Sequence, residues 1–145
     1  MADLIWLHEG ALRRTHQVFA AAAPGTAAIF VWDRARFAAG HVGARRQLFI
    51  AETLAELKIE IHDGDAAVLL PQLVAAHGAN RLLVPASPDP AIIGQIATIM
   101  QTMPRVVVEQ VEETAFVTLP REPDLARFFR YWNKARKSAL RPHGV

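Results

Sequence analysis

The residues able to do chemistry gather in four short segments: His8 to Arg14, Asp33 to Arg36, Asp63 to Asp65, and Ala86 to Asp89. From these and their flanks we take His8, Glu9, Trp32, Asp33, Arg36, Asp63 and Ser87 as candidate ligand-binding residues. They supply acids, bases and hydrogen-bonding groups, but no complete catalytic constellation. Ser87 lacks the G-x-S-x-G elbow that exposes a hydrolase nucleophile. Neither G-x-G-x-x-G nor G-x-x-x-x-G-K-[ST] occurs, so a nucleotide would have to be held by helix N-termini and scattered arginines. The six histidines, at 8, 16, 41, 62, 77 and 143, form no His-x-x-x-His pair, and their expected roles are solvated or capping rather than metal-ligating. With no cysteine in the chain, disulfides, thiolate catalysis, iron–sulfur clusters and Cys-based zinc sites are excluded. Trp32 stands beside Asp33 and can line a pocket for a flat ring; core packing, as for Trp6, is the plainer role for a tryptophan on a strand.

Each of the four segments follows a short apolar run, and those runs are the elements that must position them. Leu4-Ile5-Trp6-Leu7 and Ala27 to Trp32 read as buried strands. Ile59 and Ile61 alternate with polar residues, as in a half-exposed edge strand. Arg81 to Pro85 and Val106 to Val108 are the next strands, and Phe116 to Leu119 is a candidate sixth. Helices are expected from His16 to Ala23, capped by Thr15, and from Arg45 to Leu57, with Leu48, Phe49, Leu54 and Leu57 at helical spacing. Further helices are expected from Ala66 to His77 and from Ala91 to Met103, with Arg34 to Gly43 as a loop. Alternating strands and helices predict an α/β fold: a doubly wound, mostly parallel, five-stranded Rossmann-like sheet with helices on both faces. In such a sheet ligands sit outside the carboxyl ends of the strands.

A chain of 145 residues fits one domain. We expect an α/β domain over 1–120 and a basic amphipathic helix over 121–145. The net charge of +2 is uneven, because Arg121, Arg127, Arg130, Lys134, Arg136, Lys137 and Arg141 face only Glu122 and Asp124 in the tail. The tail admits three readings: a helix docked on its own domain, a homodimer or partner contact through Phe128, Phe129 and Trp132, or a weak DNA contact through Arg130, Lys134 and Lys137. No apolar run reaches the ~18 residues of a membrane span, and the N-terminus has no signal-peptide pattern, so no membrane partner and a cytoplasmic location are expected.

The order of motifs resembles the N-terminal α/β domain of the DNA photolyase and cryptochrome family. L-I-W-L-H-E-G-A-L-R, from Leu4 to Arg13, is similar to that family's opening strand and Trp-Phe-Arg-Arg-Asp-Leu-Arg motif. G-A-R-R-Q-L-F-I-A-E-T-L-A-E-L, from Gly43 to Leu57, resembles its Arg-x-x-Phe-Leu-x-x-Ser-Leu-x-x-Leu helix. Asp63-Gly64-Asp65 stands where the family has a Gly-Asp/Asn-Pro turn, and F-F-R-Y-W-N-K, from Phe128 to Lys134, looks like the stretch leading into the family's helical domain. His8-Glu9-Gly10-Ala11 departs from Arg-Arg-Asp, and His16-Gln17 departs from Asp-Asn.

The resemblance implies a stand-alone antenna-type domain. In the family the helical domain carries FAD, while the α/β domain holds at most a pigment such as a folate, deazaflavin or flavin. FAD and DNA photorepair are therefore not expected of this chain by itself, and it is not expected to be an enzyme alone. Two other classes stay open: a homo-oligomeric or partner-binding interaction module, and a nucleotide-binding protein of the universal-stress type.

Overall fold

Alternate residues of the central strands face opposite helical layers, and this binary pattern builds the core. In a computed structural model of the chain, which describes residues 2–115, 119, 121–122 and 126–139, the strands are β1 (Asp3–Leu7), β2 (Ala28–Trp32), β3 (Glu60–Asp63), β4 (Arg81–Pro85) and β5 (Val107–Val111). All four pairings are parallel, and the order is β3-β2-β1-β4-β5. The expected doubly wound α/β sheet is what the chain forms. The expected sixth strand falls largely on residues 116–118, outside the described residues.

Leu4, Trp6, Ile29, Val31, Leu82 and Val84 point to one face, where α4 (Ala66–Ala76) and α5 (Pro90–Thr102) cover them with Leu70, Val74, Ile92, Ile96 and Ile99. Ile5, Leu7, Phe30 and Leu83 point to the other. There they meet Val18 of α1 (Gln17–Ala21), Phe37 of α2 (Arg34–Ala39), and Ile50 and Leu54 of α3 (Ala44–Leu57). The three inner strands are buried on both faces, which is why they read as continuous apolar runs.

Three sequence expectations are corrected. The Arg34–Gly43 segment opens with a helix: the Asp33 carboxylate accepts from the Arg36 N–H at 3.1 Å, and Phe37 anchors the turn in the core. The N-cap of α1 is His16, whose Nδ1 accepts from the Val18 N–H at 3.0 Å, in place of Thr15. On α3 the buried stripe is Ile50 and Leu54, while Leu48 and Phe49 are 59% and 65% exposed.

The last turn of α3 ends at Lys58 in the left-handed region, with φ 55°, where its N–H reaches the Leu54 and Ala55 carbonyls. A residue with a Cβ is disfavoured there. Lys58→Gly is expected to raise the unfolding free energy by about 0.5–1 kcal/mol, read as a higher urea midpoint at unchanged slope.

The described residues divide into two compact units, 1–113 and 114–145. The second contains α6 (Phe128–Ala139), with Ala135 and Ala139 buried and Phe128 and Phe129 exposed. Among the described residues no helix is long and apolar enough to cross a membrane.

Candidate functional site

Chain reversal between β1 and β4 leaves a crevice at their carboxyl ends, and this chain closes it with its own side chain. His8 is buried at the end of β1. Its Nδ1 accepts from the Gly10 N–H at 3.1 Å, so Nε2 carries the proton and donates to the Pro85 carbonyl at the end of β4, 2.7 Å away. Burial holds the His8 pKa below its ordinary value of 6.5, against an opposing pull from the Pro85 carbonyl. Beside it, Glu9 forms an ion pair with Arg36, and both side chains are largely buried. His16 is also buried, and its pKa is lowered by burial and by the nearby Arg13 charge.

The open space lies one strand over. A cleft of about 510 Å³ at the carboxyl ends of β2 and β3 is lined by Asp33, Arg34, Arg36, Asp63, Gly64 and Asp65, with Ala91 and Gln95 of α5. Its volume lies in the range of small-molecule sites. Of the residues chosen from sequence, the structure brings Asp33, Arg36 and Asp63 together on this cleft. His8 and Glu9 serve the packing of the first loop. Trp32 packs its ring edge-on against Phe37, with centroids 5.0 Å apart, and does not line the cleft. Ser87 accepts the Asp89 N–H at 3.1 Å within its own loop. Gln95 is the residue sequence reasoning missed. A single amide in the apolar stretch Ala91 to Ile96 is the signal that was available.

Charges in the cleft are nearly all matched. The Arg34 guanidinium meets the Asp63 carboxylate with Nη2 at 2.9 Å and Nε at 3.2 and 3.3 Å, and this contact raises the Arg34 pKa further. Asp33 caps α2 and Asp65 caps α4, accepting the Ala67 N–H at 2.8 Å, while nearby Asp89 caps α5. Each helix N-terminus that would receive a phosphate already holds a carboxylate, so a phosphate placed there would meet like charge. Unmatched polar capacity comes from Gln95 and the outer edges of the arginines. Among the described residues no group of three His, Asp or Glu side chains is placed to hold a metal ion.

Comparison with solved structures gives a bacterial class III photolyase from Agrobacterium tumefaciens, at TM-score 0.57 and 17% identity, covering 88% of this chain and 28% of that one. The fold is photolyase-like. No protein-family model and no curated protein matches the sequence. The chain thus spans 28% of the length of the photolyase it resembles.

Proposed function

We propose that the chain is a photolyase-related α/β domain that holds a flat, largely uncharged chromophore in the cleft at the ends of β2 and β3. In this reading it is not competent for DNA repair without a flavin-bearing helical domain. The observation that carries the reading is the coincidence of a photolyase-like fold over 88% of the chain with an open cleft at the strand ends. Charge matching favours a folate, deazaflavin or flavin ring over a nucleoside phosphate, because the Asp33, Asp65 and Asp89 carboxylates oppose phosphates at the helix N-termini. Gln95 supplies an amide able to pair with both the donor and the acceptor edges of such a ring.

The test is absorption between roughly 300 and 500 nm of protein from its native host, followed by titration of the purified chain with a folate, a deazaflavin and riboflavin. Stoichiometric uptake of one of them is expected, weakened about tenfold in Gln95→Ala, the cost of one hydrogen bond. A colourless chain that takes up none of them would favour the second reading, an interaction module. That reading rests on Phe128 and Phe129, which are 64% and 73% exposed; Phe128 stacks on Trp132 and meets Phe129 edge-on, making one aromatic cluster.

A further inference from the structure

The second unit carries a basic cleft, apart from the strand-end cleft of the first. Leu119, Arg121, Asn133, Lys134 and Lys137 line about 460 Å³ of open space. Lys137 lies four residues after Asn133 and three after Lys134, so it joins both on one side of α6, and Arg121 approaches from the preceding segment. Among the described residues no carboxylate lines the space. Among the described residues no ion pair or hydrogen bond engages Arg121, Lys134 or Lys137, whereas Arg13, Arg34, Arg36 and Arg81 in the first unit all have acidic partners. Three cations held around one hollow repel each other until an anion enters.

We propose that this cleft is a binding site for a small phosphate monoester. A monoester dianion presents three terminal oxygens, one for each cation, with the Arg121 fork able to engage two of them and Asn133 adding an amide donor. A phosphodiester offers only two terminal oxygens and leaves one cation unmatched. Leu119 supplies an apolar wall for the organic part of the ester.

The full chain is titrated with inorganic phosphate and with phosphoserine at about 0.15 M salt, followed by calorimetry and phosphorus NMR. Saturable binding is expected. It should fall about tenfold in Arg121→Gln and in Lys137→Gln, since each removes a charge-assisted hydrogen bond. Arg121→Lys, which keeps the charge and loses the fork, should fall between wild type and Arg121→Gln. Arg105→Gln, an exposed arginine of the first unit, should bind as the wild type does. Affinity should also drop at pH 5, where the monoester loses its second charge. Circular dichroism of each variant separates lost binding from lost folding. Absence of saturable binding overturns the proposal, as does binding unchanged in the Arg121 and Lys137 variants. Displacement of phosphate by a DNA oligonucleotide at equal phosphate concentration would likewise overturn it, assigning the face to polyanions.

Discussion

Replacing Arg36 by methionine is expected to cost the fold about 2–4 kcal/mol, well beyond the ~0–1 kcal/mol typical of a surface ion pair. The reason is the burial of its partner. The Glu9 side chain is 8% exposed and that of Arg36 is 18% exposed, so removing the guanidinium leaves a carboxylate enclosed without a counter-charge. Arg36 also lies over the Phe37 ring, 5.6 Å from its centroid, and its apolar stem covers part of that ring. The double variant Glu9→Gln, Arg36→Met removes both charges and should regain most of the loss. Urea unfolding of the two single variants and the double variant gives the coupling directly, and about 2 kcal/mol or more is expected. A loss below about 0.5 kcal/mol for Arg36→Met would show that this pair behaves as a solvated one and does not brace the first loop.

The second large effect is a loss of stability on mild acidification. Both His8 and His16 use Nδ1 as an acceptor, for the Gly10 and Val18 N–H groups respectively, and a proton on either ring abolishes that role. Burial lowers both pKa values below 6.5 in the folded chain. The unfolded chain therefore binds more protons as pH falls below 6.5, and stability rises with pH through that range and is fully present above it. The unfolding midpoint should be level from pH 8 to about 7 and fall steadily from about 6.5 to 5. In a His8→Gln, His16→Asn double variant the starting stability is lower, and the slope over this interval should largely vanish. Identical midpoints at pH 8 and pH 5 in the wild type would contradict the assignment of two neutral buried rings.

Where sequence reading succeeded and where it stopped follows from what each kind of signal encodes. The buried strands were legible because Leu4 to Leu7 and Leu82 to Val84 are enclosed on both faces and admit no polar residue. The α3 stripe was only half right because Leu48 and Phe49, six and five residues before Leu54, lie off the face that Leu54 and Leu57 share, whereas Ile50 stands four before Leu54 on that face. The i, i+4, i+7 series Ile50, Leu54 and Leu57 is the set the sheet covers. The α2 helix was missed because its six residues carry no long period; its cap at Asp33 and anchor at Phe37 depend on tertiary contact. For the cleft, strand ends pointed to Asp33, Arg36 and Asp63, which line it because backbone position alone brings them near the opening. The same rule selected His8 and Ser87, whose partners lie elsewhere, and Glu9, which meets the cleft only through its ion pair with Arg36. A strand end specifies where a backbone emerges and leaves open which neighbour a side chain finds. Gln95 enters from the middle of α5, a position no loop-based rule inspects.

The placement of β1 at the centre of the sheet has a consequence for how the protein is made. β1 leaves the ribosome first, yet one of its two edges is satisfied only by β4, in the register Asp3 with Arg81 and Ile5 with Leu83. Roughly 75 residues must be synthesised between them, which at ~5–20 residues per second is about 4–15 s during which the backbone N–H and C=O groups along that edge of a largely apolar strand wait unpaired. Over that interval the nascent half-sheet is a natural client for a chaperone that covers open strand edges and their apolar side chains.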